Sequence, residues 1–306
     1  MTQAGAGPAQ QEARQQAQQA QRTQQEGRRQ HKWRMRPEVQ LLALDMDGTL
    51  LDSRSRVLPS SVSAIKAAID RGITVCLATG KARPAAIKAM AAVGLAGDGL
   101  VVSPRGPGVF LQGLAAYGRG GQLVAAGELP SAVVREAFVF AETHGIPICG
   151  FLGEECVTIE LHPEIEELHH RYYEPLAQVV PSVDDVLQGP PLRKLLFMTQ
   201  PHVVDTHLKP HWEGRLAGSG AQPMQAVADM LEVVPVGWNK WRALERVPAA
   251  AFMAVGDGSN DLEMVANAGV GVAMTNAVPS VKEAAQLVVA SNDDDGVAEA
   301  IERLLL

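Results

Sequence analysis

The chain has 306 residues, 46% hydrophobic and 4% aromatic, and a formal charge of −7. Its length suggests about two domains, and its apolar content suffices for sizeable cores. Seven Lys/Arg against two Glu put +5 on residues 1–36 and leave −12 on the rest, which argues against general nucleic-acid binding by the folded part. No run of about 18 apolar residues is present, so no membrane-spanning helix is expected. Cys76, Cys149 and Cys156 are an odd, sparse set without metal-ligand spacing, the usage of a reducing compartment such as cytoplasm or plastid stroma. Residues 1–36, rich in Gln, Ala and Arg, lack the apolar stretch of a secretory signal and any apolar face to dock. They are expected to be a disordered tail, with folded structure starting near Pro37.

Leu41-Leu-Ala-Leu44 reads as a strand buried on both faces, and Asp45-Met-Asp47-Gly48 follows it at once. Asp45 and Asp47 are two apart, so an extended backbone projects both carboxylates to one face. Gly48 permits a sharp turn that leaves them at the strand's C-terminal edge, where open α/β sheets bind ligands. Two carboxylates that close repel and call for a cation. Magnesium with a phosphate ester meets the demand: one oxygen attacks phosphorus and the other carboxyl moves a proton. Asp and Gly are also ordinary turn residues, so the decision rests on partners downstream.

A helix follows from Pro59 through Asp70, with Val62, Ile65, Ala68 and Ile69 at helical spacing, and then the apolar strand Gly72–Ala78, ending in Thr79-Gly80. A hydroxyl and an exposed amide at a strand tip can hold a phosphate oxygen. One right-handed crossover after Asp45, this tip belongs on the same sheet edge. Lys81 and Arg83 read equally as anion-steering or solvated, and a helix spans Ala85 to Val93. Gly99–Val102 and Val109–Tyr117 read as strands. From about Gly118 the helix Ser131–Thr143, strands Pro147–Phe151 and Cys156–Glu160, helix Pro163–Tyr173 and a helix-strand passage Val183–Met198 make an α/β insertion of about a hundred residues. Such insertions often exclude water and choose the substrate. His169, His170, Tyr172 and Tyr173 in it either line a pocket or pack as a helix face. His207 and His211 share a chelating i, i+4 spacing, but no acidic partner motif accompanies them.

Leu231–Pro235 reads as a strand returning to the core. Lys240 opens a helix, Trp241–Arg246, although a lysine there is opposed by the helix dipole unless an anion lies near. The strand Ala251–Val255 then meets Gly256-Asp257-Gly258-Ser259-Asn260-Asp261. Asp257 and Asp261 around Asn260 suit a hexacoordinate cation, whereas a helix cap accounts for Asn260 or Asp261 but not also Asp257. Helix Leu262–Ala268, strands Val270–Ala273 and Gln286–Ala290, and helix Gly296–Leu305 complete the chain.

In order, DMDGT, ATG, Lys240 and GDGSND resemble the four motifs of the haloacid dehalogenase-like superfamily, and VGDGSNDLEMVANAGVGVAMTNA is similar to its Cof-type phosphatase branch. The resemblance covers nearly all of residues 41–305. It implies an α/β fold: a doubly wound parallel, Rossmann-like core over residues 37–117 and 223–306, and an α/β cap over 118–222. It further implies Asp45 as nucleophile, Asp47 as general acid then base, and Thr79, Gly80, Lys240 and Asn260 about the phosphoryl group. Asp45, Asp47 (through its carbonyl), Asp257 and Asp261 would hold Mg²⁺. Gln112 and Leu114, in LQGLAAY, stand where many relatives carry Asn and Ala. The expected activity is Mg²⁺-dependent hydrolysis of a small phosphorylated metabolite, such as a sugar phosphate, FMN or a PLP-like ester, through a phosphoaspartyl intermediate. A phosphotransferase or mutase using the same intermediate, or an inert binder of phosphometabolites, are the alternatives. Oligomeric state is not legible.

Overall fold

The computed structural model describes residues 39–225, 227–247 and 251–306, so the expected tail lies outside the described residues. Five parallel strands form one sheet in the order Leu287–Val289, Val270–Met274, Phe252–Gly256, Leu41–Leu44, Thr74–Leu77. The apolar runs serve both faces at once. Leu42, Leu44, Val75, Leu77, Met253 and Val255 pack one way, against Ile65 of helix Pro59–Asp70 and Ile301 of helix Gly296–Leu304. Leu41, Ala43, Cys76 and Ala254 pack the other way, against Ala243 and Leu244 of helix Lys240–Leu244 and against Met264. Burial pushes the Cys76 thiol up to about 12, so it serves as a small core residue.

Two expected strands differ. Gly99–Val102 contributes only a bridge from Val102 to Ala96. Val109–Tyr117 breaks into strands Gly108–Phe110 and Ala115–Tyr117, because Leu111 and Gln112 adopt left-handed backbone (φ 52° and 60°) and Gly113 follows at φ 98°. With Leu123–Ala126 they make a small antiparallel sheet, so pairing with the core side continues past Gly118.

The remaining sheet has six strands, in the order Ala221–Met224, Met230–Pro235, Lys194–Met198, Ile148–Phe151, Cys156–Thr158, Ala177–Val179. All its pairings are antiparallel except the last. Met230–Pro235 therefore does not rejoin the parallel sheet, as its apolar run suggested; buried strands of the two sheets look alike in composition. Alternation sorts its residues. Leu195, Phe197, Leu231 and Val233 pack under Phe138 and Trp212 of helices Ser131–His144 and Lys209–Arg215, while Leu196, Met198, Met230 and Val234 face the other way, continuous with the core cluster. From these memberships we propose a core of residues 39–127 and 236–306 and a second unit of 128–235.

Candidate active site

Because the five strands are parallel, their C-terminal ends share one edge. Leu41–Leu44 leads to Asp45, Thr74–Leu77 to Thr79 and Gly80, and Phe252–Gly256 to Asp257. The strand stops at Leu44, and residues 45–50 turn back on themselves through Thr49 N–H to Met46 O and Leu50 N–H to Asp45 O. The two aspartates are thus set apart: Asp45 is 5% exposed and Asp47 stands out at the rim, its side chain 58% exposed. Both line one cavity of about 580 Å³, together with Gly80, Asp257 and Asn260. Gly48 allows the turn to pass Asp257: its φ is 84°, and a methyl group there would overlap the Asp257 carboxylate.

Lys240 is 1% exposed and is no surface lysine. Asn239 caps its short helix by accepting the Arg242 N–H, and the Lys240 ammonium donates to Asp45 Oδ1 at 2.6 Å and to Asp261 Oδ1 at 2.7 Å. Burial works against this cation, but Asp261 and Asp45 together outweigh it and hold its pKa above the ordinary lysine value. Asp45 is pushed well up by burial and by the Asp261 charge, with Lys240 pulling the other way. Asp257 is raised too, by burial first, although Thr49 Oγ1 donates to its Oδ1 at 2.7 Å.

The donor set fits a hard cation. Oxygens of Asp45, Asp257 and Asp261 lie within 4.8 Å of one another, and three carboxylates around one ammonium leave an excess of negative charge for Mg²⁺ to offset. The three are not equivalent. Asp261 Oδ1 is taken by Lys240, and its Oδ2 accepts the backbone N–H groups of Asp257 and Gly258, each at 3.0 Å. Asp261 therefore clamps the turn and orients the lysine, the cap-like role the sequence also allowed, while Asp45 and Asp257 have an oxygen to offer an ion.

The other expected residues divide. Gly80 lines the cavity, whereas Thr79 is wholly buried and its hydroxyl accepts the Lys81 N–H at 3.2 Å. Asn260 is held by Gln112, whose Oε1 accepts its Nδ2–H at 2.9 Å. Lys81 pairs with Asp47 at 3.1 Å, at the cavity mouth. Arg83 is committed elsewhere, to Glu154, to Pro104 O at 3.0 Å and to the Tyr117 ring face at 3.6 Å. Of the aromatic cluster, Tyr172 lines the cavity, Tyr173 is exposed over Lys88, and His169 Nδ1 lies 2.7 Å from Glu174 O. His211 stacks on Phe140.

Sequence reasoning missed Glu174, Lys194 and Glu232, all buried and all lining the cavity. Glu174 accepts the Ala82 N–H at 3.2 Å, and its pKa is raised by burial, with Lys194 and Lys81 opposing. Lys194 donates to Glu232 Oε1 at 2.8 Å. The signal was present: each strand carries one charge among apolar neighbours, in KLLFM and MLEVVP.

A family model described as haloacid dehalogenase-like hydrolase matches residues 42–301. The chain is 39% identical over 274 residues to the chloroplastic endoribonuclease YBEY of Arabidopsis thaliana, covering 88% of this chain and 47% of that protein; it spans about half the length of that relative. It is 27% identical to the 5-amino-6-(5-phospho-D-ribitylamino)uracil phosphatase YwtE of Bacillus subtilis, over 87% of this chain and 98% of that one. A haloacid dehalogenase-like hydrolase from Bacteroides thetaiotaomicron superposes with a TM-score of 0.73 at 26% identity, covering 87% of this chain and 99% of its own.

Proposed function

Because this chain belongs to the haloacid dehalogenase-like hydrolase family, we propose that it is a Mg²⁺-dependent phosphatase acting on a small phosphorylated metabolite through a phosphoaspartyl intermediate. The observation that carries the reading is the meeting of Asp45, Asp257 and Lys240 at one sheet edge, where the two aspartates line a cavity large enough for a metabolite. Asp45 and Asp257 would hold Mg²⁺, which when bound neutralises phosphoryl charge and lets an anionic nucleophile approach.

A carboxylate oxygen of Asp45 attacks phosphorus as the ester P–O bond breaks, and Asp47, at the rim, gives its proton to the leaving oxygen. Asp47 then takes a proton from water as that water attacks the aspartyl phosphate, releasing inorganic phosphate and restoring Asp45. Lys240 fixes the Asp45 carboxylate and stabilises charge beside it, Gly80 and Asn260 border the phosphoryl site, and Lys81 draws the anion in past Asp47. Sugar phosphates, FMN and PLP-like esters are within the substrate class. With p-nitrophenyl phosphate and Mg²⁺, wild-type protein should turn over and Asp45→Asn protein should lose at least a thousandfold of the rate, on the order expected for an attacking group. Full activity in the Asn variant would rule the mechanism out, and transfer to added polyols in excess of transfer to water would reassign the chain as a phosphotransferase.

A further inference from the structure

Gln112 sits where three loops of the site meet. Its hairpin turn is fastened to the loop after strand Thr74–Leu77 by three backbone bonds: Thr79 N–H to Val109 O at 2.9 Å, Gln112 N–H to Thr79 O at 3.1 Å and Leu111 N–H to Lys81 O at 3.1 Å. Gly113, the next residue, abuts the backbone of Asn239 and Lys240, and the Gln112 side chain meets Asn260. Leu111 and Gln112 are left-handed there, at φ 52° and 60°, an unfavourable backbone of the kind that surrounding structure maintains at functional sites. The Gln112 side chain lines the cavity, and the residue is only 7% exposed. Its oxygen is taken, since Oε1 accepts Asn260 Nδ2–H at 2.9 Å. That bond turns the amide nitrogen toward Gly80, where a methyl group would overlap Nε2. Among the described residues Nε2 donates to no acceptor. Trp212 Nε1 and Glu232 Oε2 also lack partners but are sealed off, whereas Gln112 Nε2 is not. A largely buried amide donor is costly to leave unpaired unless something entering the cavity supplies an acceptor.

We propose that Gln112 is a catalytic residue, donating a hydrogen bond from Nε2 to a phosphoryl oxygen on the Gly80 side of the site. This rests on the phosphatase reading and adds to it a donor that the strand tips themselves do not provide. Gly80 and Asn260, which border the phosphoryl site, flank the Gln112 amide on its two sides. Asn260 fixes the rotation of the amide, and the bonds to Thr79 and Lys81 fix the backbone that carries it. A donor held in place before charge develops stabilises a transition state without reorganising. The ammonium groups nearby are already engaged, Lys240 by Asp45 and Asp261 and Lys81 by Asp47, so an uncommitted amide N–H has a place among them.

The test measures kcat/KM for p-nitrophenyl phosphate, with Mg²⁺, in wild type, Gln112→Met, Asn260→Ala and the double variant. Gln112→Met keeps the length of the side chain and removes the donor, so kcat/KM should fall about a hundredfold. On the Asn260→Ala background the same change should still cost tenfold or more, because the donor acts on the substrate and not through Asn260. A loss within threefold in Gln112→Met, or one that vanishes on the Asn260→Ala background, overturns the proposal. Where Gln112→Met does not fold, Gln112→Glu decides: it keeps an acceptor for Asn260 Nδ2–H and sets an oxygen where the donor stood. Its kcat/KM relative to wild type should be down about a hundredfold at neutral pH and recover tenfold or more toward about pH 5, as the introduced carboxyl gains a proton and can donate again. Parity with wild type at neutral pH, or a loss that does not recover, overturns the proposal, since a side chain that merely braced Asn260 would keep that role as a carboxylate. If wild type does not hydrolyse the ester, the phosphatase reading fails and calorimetric titration with orthophosphate and Mg²⁺ decides Gln112 separately. Binding weakened tenfold in the Gln112 variant upholds the donor, and equal binding, or none in wild type, overturns it.

Discussion

At Lys240 a single ammonium neutralises two buried carboxylates, and it is the side chain whose removal the site tolerates least. Lys240→Met leaves Asp45 and Asp261 as uncompensated buried charges, for which a loss of roughly 3–5 kcal/mol is expected. Urea unfolding in metal-free buffer measures it; a change below about 1 kcal/mol would mean that the carboxylates find other partners. Glu174 offers a test by pH. Its folded pKa is raised, so its favourable contribution is complete below the unfolded carboxylate value and is lost as pH climbs through the folded one. The stability of Glu174→Gln relative to wild type should therefore improve on going from acid to neutral pH and then level off. A difference independent of pH in paired urea melts would show that folding leaves this carboxyl's pKa unchanged. Individual roles were unevenly legible at this scale. Asp45, Asp257 and Lys240 stood out because each follows or opens an element at a place where a charge is otherwise unfavourable. The partners of Asp261 were not legible, because spacing does not tell which groups a carboxylate already pairs with.

Among the elements, the hairpin Gly108–Tyr117 does most to assemble the site. Its turn places Gln112 against Asn260 and sets Gly113 against the backbone of Asn239 and Lys240, where a methyl group would collide. Gly113→Ala must carry both this overlap and a φ of 98°, a cost of about 1–3 kcal/mol for the backbone alone. Because relief would push back the helix bearing Lys240, kcat for p-nitrophenyl phosphate should fall together with thermal stability. An Ala variant with wild-type kcat and melting temperature would show that the turn has slack. Helix and strand periods revealed this stretch as apolar and extended, but the left-handed pair Leu111-Gln112 has no side-chain signature, so the break went unseen. The six-stranded sheet posed the opposite difficulty. Its strands were legible one by one, while their partners were not, because Met230–Pro235 reads the same in a parallel core as beside Lys194–Met198.

For the whole molecule, the parallel sheet brings acidic groups from opposite ends of the chain to one edge, and their repulsion is a standing cost that a bound divalent ion removes. Mg²⁺ should accordingly raise the melting temperature in proportion to the logarithm of its concentration once above its Kd, and Asp257→Asn should abolish that rise. Differential scanning fluorimetry with and without chelator checks this without reference to turnover; an equal shift in the Asn variant would place the ion elsewhere. Among the described residues no helix is long and apolar enough to cross a membrane.

What the amino-acid order determined by itself was the kind of fold and the ordered set of strand-tip motifs. Both are local: an apolar run, a glycine and a charge within about ten residues carry them. Only the tertiary structure decided which oxygens of those motifs remain open to a cation, that Gln112 braces Asn260, and that Lys194 and Glu232, 38 positions apart, meet in the cavity that Asp45 also lines. Such relations depend on strand register and on which face of a sheet is covered, and pairing between distant segments leaves no periodicity in either one.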